Sequence, residues 1–217
     1  MRRFFFDNDG ILVDTEKFYA EACDEISRDL FGLPFPLEMY QYYGYTKGVG
    51  IQEWLAEQGI SREKIAEFRK IRDKRYAEKL SQKIEPLPGV RDFLEFCKSR
   101  EILTAVVTAT YLRYFLQIHQ QTGLLPYFNF WVTKDDIENN KPAPDGYLLA
   151  AKKAGVKPEN CLVIEDSPRG IQAGKAAGMT VYAIPTEQTS KLDLSPADKI
   201  FAGFSELRKF VSKSIFK

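Results

Sequence analysis

A single histidine, His119, serves the whole chain of 217 residues. That scarcity rules out the ordinary histidine-rich zinc centres. His119 has no second histidine and no evident acid partner nearby in sequence, so it reads as a structural or surface residue despite the switching capacity of an imidazole. Cysteine is scarce too. Cys23, Cys97 and Cys161 are too few and too scattered for a disulfide framework, and none forms Cys-x-x-Cys. Free thiols of this kind point to a reducing compartment. Net charge is nearly absent, 31 basic against 30 acidic side chains leaving +1, which gives no electrostatic reason to expect nucleic acid or an anionic membrane as partner. Long apolar runs are missing as well. No stretch approaches the ~20 apolar residues of a membrane helix, and the run after Arg2 and Arg3 breaks at Asp7, too soon for a signal peptide. The expectation is a soluble, cytoplasmic protein.

What is present is a core-forming composition. With 44% hydrophobic residues, 13% of the chain being aromatic, it can fill one domain of ordinary size or a core carrying a smaller insertion. The organising stretch is Arg3-Phe4-Phe5-Phe6-Asp7-Asn8-Asp9-Gly10. A short apolar run closed by Asp-x-Asp-Gly reads as a buried strand that delivers two carboxylates to its C-terminal end. Gly10 permits the sharp turn that follows. Two carboxylates held close repel unless a cation or a shared proton relieves them, and a hard, oxygen-seeking ion such as Mg²⁺ would do so. A solvated turn is the alternative reading of these residues taken alone.

Beyond Thr15, apolar residues at helical spacing predict a helix from Glu16 to Leu30, then helices at 51–58 and 61–80 after an aromatic segment at Tyr40, Tyr42, Tyr43 and Tyr45. The crowded charges of the third helix read as a solvated face supported by i,i+4 pairs. No strand appears here, so the first strand waits for partners across an inserted helical block. Strands are then predicted at 102–107, 128–132, 161–164 and 179–184, with a short one at 197–201, alternating with helices at 90–98, 111–120, 145–154, 170–177 and from Ser205. That alternation predicts an α/β fold, a doubly wound parallel sheet. The domains are 1–14 with 83–217 for the sheet and 15–82 for the helical insertion.

In a parallel sheet the strand ends share one edge. Asp7 and Asp9 end the first strand, Thr108 and Thr110 the second, and Glu165 and Asp166 the fourth, with Lys141 following the third. Carboxylates at that density suit Mg²⁺, and Thr with Lys beside them suits phosphate. Each piece taken singly also fits a packing threonine or a surface lysine. The joint order carries the argument.

In this order the chain resembles the haloacid dehalogenase superfamily of phosphotransferases. The resemblance rests on Asp7-Asn8-Asp9-Gly10-Ile11-Leu12-Val13-Asp14, Val106-Val107-Thr108-Ala109-Thr110, Lys141-Pro142-Ala143-Pro144-Asp145 and Val163-Ile164-Glu165-Asp166-Ser167-Pro168. The insertion resembles the helical cap of the subgroup that includes β-phosphoglucomutase and small sugar-phosphate phosphatases. The resemblance implies Asp7 as nucleophile and Asp9 as general acid and base. It implies Mg²⁺ bound by Asp7, the Asp9 carbonyl and Asp166 with Glu165 nearby, and Thr108, the Ala109 amide and Lys141 around the phosphoryl oxygens. Asp145 either balances Lys141 or caps the following helix. Lys47 falls where the mutase grips a second phosphate with arginine, but lacks the bidentate fork. Tyr19 stands in place of the mutase's histidine, and Arg72 aligns loosely with a cap lysine. A phosphatase acting on a small phosphorylated metabolite is therefore expected, with a phosphosugar mutase or a non-catalytic phosphate-binding module as alternatives. The sequence does not fix the oligomeric state, and a monomer is compatible with it.

Overall fold

The computed structural model describes residues 3–46 and 49–215. Its first strand, β1 (Arg3–Phe6), lies inside a sheet rather than at an edge. It pairs in parallel with β2 (Leu103–Val107) on one side and β4 (Cys161–Glu165) on the other. Beyond β2 lies β3 (Phe130–Val132), and beyond β4 lie β5 (Thr180–Ala183) and the short β6 (Lys199–Ile200). Among the described residues the order is β3-β2-β1-β4-β5-β6, all parallel.

Alternation of side chains along a strand splits the three phenylalanines between the two faces of the sheet. Phe4 and Phe6 pack with α5 (Val90–Ser99), α6 (Leu112–Thr122) and α9 (Phe204–Ile215). Phe5 packs with α7 (Asp145–Lys153) and α8 (Pro168–Ala176). All three are fully buried, each worth roughly 1.5–3 kcal/mol of apolar transfer. The small residues of α8 let it approach the sheet closely, since a Cβ on Gly174 would meet the Val181 side chain at 2.7 Å.

The chain divides into two compact units, Met1–Asp14 with Ile84–Lys217, and Thr15–Lys83. The second is helical. It contains α1 (Glu16–Phe31), α2 (Leu37–Gln41), a wide helical turn over Tyr42–Thr46, α3 (Ile51–Glu57) and α4 (Arg62–Lys79). Its core joins Cys23 and Ile26 of α1 to Phe35, Tyr43, Trp54, Leu55 and Phe68. Gly32 closes α1 in the left-handed conformation, φ 67°. Ser61 caps α4 by accepting a hydrogen bond from the Lys64 amide.

Two features go beyond the local pattern. The aromatic segment is helical, because Tyr43 and Tyr45 turn inward and find acids for their hydroxyls at Glu57 and Glu16. The charged face of α4 is tied to α1 rather than merely solvated, Lys79 reaching Glu21 at 2.9 Å and Glu25 at 2.7 Å, and Arg75 reaching Glu25 at 2.6 Å. Both depend on partners far away in sequence, which a local charge or spacing pattern cannot reveal. No described helix is long and apolar enough to cross a membrane.

Candidate functional site

β1 hands its polar residues to a tight loop. The Asp7 amide still bonds the Ile164 carbonyl at 3.0 Å, continuing the ladder past the strand's end. The Asn8 carbonyl then accepts from the Leu12 and Val13 amides, turning the chain back. Gly10 sits at φ 80°, and a Cβ there would lie 2.2 Å from Asp166 Oδ2. Glycine is needed twice over, for the backbone and for the room its missing side chain leaves to a carboxylate.

Asp7, Glu165 and Asp166 meet at the carboxyl edge of the sheet, one oxygen from each lying within 4.8 Å of the others. Lys141 Nζ stands between two of them, 2.5 Å from Asp7 Oδ1 and 2.6 Å from Glu165 Oε1. The Lys141–Pro142 bond is cis, and Arg169 donates to the Lys141 carbonyl. Burial pushes the Asp7 carboxyl up to about 7; Lys141 opposes the rise and Glu165 adds to it. Lys141 is held well above its ordinary value by the two carboxylates, although burial pulls the other way. It is therefore an ammonium shared between two acids. Three acid groups gathered at one edge, two of them sharing an ammonium, offer hard oxygen donors that fit a divalent cation such as Mg²⁺.

Glu165 is fully buried and heavily committed. Oε1 accepts from Lys141 and the Tyr147 hydroxyl, while Oε2 accepts from the Asp166 amide and the Ser167 amide and hydroxyl. These five bonds exceed the about four lone-pair sites of a carboxylate. A Cβ on Gly170 would come 1.7 Å from Oε1, so the first turn of α8 carries a glycine where this carboxylate must fit.

Asp9 Oδ2 accepts from the Thr110 hydroxyl and from Asn8 Nδ2, both at 3.0 Å. Thr108 is buried, and its Oγ1 accepts from the Thr110 amide at 3.0 Å. Thr108, Ala109 and Lys141 line one small pocket with Tyr147.

The structure thus gathers Asp7, Glu165, Asp166 and Lys141 directly, and sets Asp9, Thr108 and Ala109 on the same edge. Lys47 lies outside the described residues. Asp145 does not balance Lys141. It does not cap α7 either, whose N-cap is Pro144; it accepts from Asn139 Nδ2 at 3.0 Å, Asp7 and Glu165 already occupying the ammonium. Tyr147, Arg169 and the buried pair Asn8–His119 are participants the sequence reading did not assign. Only Ser167 carried a usable signal, an N-cap serine before Pro168, and its Oγ does accept from the Gly170 amide at 3.2 Å.

A family model described as haloacid dehalogenase-like hydrolase matches residues 1–178. A phosphorylated carbohydrates phosphatase of Thermotoga maritima is 33% identical over 85% of this chain and 85% of its own length. The fructose-1-phosphate phosphatase YqaB of Escherichia coli is 32% identical over 80% of this chain and 91% of its own. Among solved structures, CbbY of Rhodobacter sphaeroides in complex with phosphate superposes with a TM-score of 0.83 at 26% identity, covering 95% of this chain and 96% of that one. A second structure of CbbY holds xylulose-(1,5)bisphosphate.

Proposed function

The chain belongs to the haloacid dehalogenase-like hydrolases and is a phosphoric monoester hydrolase, and from that premise we propose that it releases phosphate from a small sugar or polyol phosphate, with Mg²⁺, through an aspartyl phosphate. The observation that carries this reading is the meeting of Asp7, Glu165 and Asp166 at one sheet edge, with the Lys141 ammonium shared between the first two. Asp7 and Asp166, with the main-chain carbonyl of Asp9, would hold the ion. Glu165, with both oxygens engaged, supports Lys141 from behind. When bound, Mg²⁺ supplies positive charge that favours ionised Asp7 and screens its repulsion from an anionic phosphate.

A carboxylate oxygen of Asp7 attacks phosphorus while the bond to the leaving oxygen breaks. Asp9 gives its proton to that oxygen, releasing the alcohol. Asp9, now ionised, takes a proton from water. The water oxygen attacks phosphorus, and Asp7 leaves as a carboxylate with inorganic phosphate set free. Lys141, the Thr108 hydroxyl and the Ala109 amide hold the phosphoryl oxygens as charge shifts onto them. The Thr108 oxygen already accepts from Thr110, so its own proton is the one offered.

The sugar or polyol class draws on the named relatives, and Lys47 enters as a substrate contact on sequence grounds alone. The three buried, free thiols suit a reducing compartment such as the cytoplasm.

The test is phosphate release from a panel of sugar, polyol and nucleotide monophosphates, with and without Mg²⁺, beside Asp7→Asn. Release that needs Mg²⁺ and falls about 1000-fold or more in the variant is the expected result. Release indifferent to both overturns the proposal, and isomerised substrate without free phosphate would point to a mutase instead.

A further inference from the structure

The residue between the two aspartates faces inward. Asn8 is fully buried, and so is His119 on α6. His119 Nε2 lies 2.7 Å from Asn8 Oδ1, and Asn8 Nδ2 lies 3.0 Å from Asp9 Oδ2. On the other side of the ring, Nδ1 is 3.0 Å from Thr122 Oγ1, which itself accepts from the Leu124 amide at 3.3 Å.

The direction of every bond in this series follows from chemistry. An amide nitrogen donates to the carboxylate, so the amide oxygen of Asn8 turns to the imidazole, and the imidazole must donate from Nε2. A neutral ring then leaves Nδ1 as an acceptor, which the Thr122 hydroxyl fills. Burial lowers the His119 pKa from the ordinary 6.5 to about 4, so the neutral ring is the resident form near neutrality. Phe115 meets the ring edge-on at 4.6 Å and Phe128 flanks it at 6.2 Å, which restrains its rotation.

We propose that His119 and Asn8 are positioning residues for Asp9. They hold Oδ2 as a hydrogen-bond acceptor, together with Thr110, so that the proton delivered to the leaving group resides on the other carboxyl oxygen, Oδ1. This rests on the reading of Asp9 as general acid. Asp9 is the acid; His119 never touches substrate and acts only through the Asn8 amide.

The test separates proton delivery from everything else. Single-turnover rates are measured with the sugar phosphate the enzyme hydrolyses best and with 4-nitrophenyl phosphate, whose leaving phenolate departs without a proton. For the latter the readout is the burst of phenolate, which reports the first step alone. In His119→Phe and Asn8→Leu the sugar-phosphate rate falls about 10-fold or more, a fraction of the 10²–10⁴ that a general acid contributes. KM stays near its original value and the phenolate burst holds within about 3-fold. His119→Gln, which keeps a donor at the Nε2 position, recovers most of the loss. Equal losses on both substrates, or no loss on the sugar phosphate, overturn the proposal.

Asp9→Asn is run alongside. If that variant keeps the sugar-phosphate rate, the general-acid reading itself has failed, a result distinct from failure of the positioning pair. If His119→Phe does not fold, the wild-type enzyme decides the matter by NMR. Isotope-labelled histidine gives one imidazole, since the chain has one histidine. A neutral ring at about pH 7, protonated on Nε2 with a slowly exchanging proton, is expected, and its signal should shift in Asp9→Asn. A ring protonated on Nδ1, or one indifferent to Asp9→Asn, refutes the chain of bonds.

Discussion

The α/β unit and the helical unit both bury charged side chains, but they arrange them differently. In the α/β unit, Asp7, Lys141, Glu165 and Asp166 come from three segments that end at one sheet edge, and their bonds are short and mutually constraining. In the helical unit the buried cation is Arg72, 4% exposed, bonded to its neighbour Asp73 at 2.8 Å and to the Tyr19 hydroxyl at 2.5 Å, with the guanidinium over the Tyr19 ring. Glu16 likewise serves Tyr40 and Tyr45. Acids there are satisfied mostly by phenols and surface cations, a softer arrangement in which one partner can change without stranding several charges. A rigid charged edge suits bond-making chemistry, which tolerates little displacement.

The sharpest way to break this contrast is one added methyl group. Gly170→Ala places a Cβ inside the Glu165 carboxylate, so it should destabilise the protein by about 3 kcal/mol, the upper range of overpacking. It should also lower turnover about 100-fold by displacing Lys141. Chemical denaturation and steady-state kinetics measure the two effects. A neutral result would mean that the charged edge is as forgiving as the helical unit.

Acid stability gives a second, smaller contrast. His119 is neutral in the fold, with its pKa lowered by burial from 6.5 to about 4, so between those values the unfolded chain binds the extra proton. Its contribution is fully present above about pH 6.5 and is lost as pH falls toward about 4. By about pH 5 the loss should be on the order of 2 kcal/mol. Unfolding free energies of wild type and His119→Gln across this range should therefore converge at low pH. Parallel curves would remove His119 as the acid-sensitive group.

The smallest effect belongs to the surface of the helical unit. Lys79→Met breaks the ion pairs to Glu21 and Glu25, yet exposed pairs contribute little, so about 0.5 kcal/mol is expected, fading with added salt. A loss comparable to that of Gly170→Ala would show that the pairs between α1 and α4 are structurally critical.

The two units were also unequally readable from the amino-acid order. The strands of the sheet announce themselves as β-branched or aromatic runs, and each delivers its polar residue immediately after, so the edge bearing Asp7, Thr108 and Glu165 follows from local pattern plus parallel topology. Lys141 is legible from its Lys-Pro-Ala-Pro setting rather than from a strand end, since it lies nine positions beyond Val132. The task of Glu165 is not, because its five bonds come from residues up to 24 positions away. Nor is the pairing of Asn8 with His119, which spans 111 positions. In the helical unit, α2 and the wide turn after it are not legible, because their tyrosines find distant acids, Glu16 and Glu57. Spacing records which face is apolar; it does not record which distant acid a phenol will find.

The central place of β1 has a consequence for biosynthesis. Phe4, Phe5 and Phe6 require both Leu103–Val107 and Cys161–Glu165 as neighbours. At about 5–20 residues per second, a ribosome needs on the order of 10 s to travel from Phe6 to Ile164. Meanwhile Thr15–Lys83, a compact unit in itself, is translated in full. The strand that leads into Asp7 is thus made before both of its neighbours and enclosed only once the second has followed, and for that interval three adjacent phenylalanines must be kept from associating with other nascent chains.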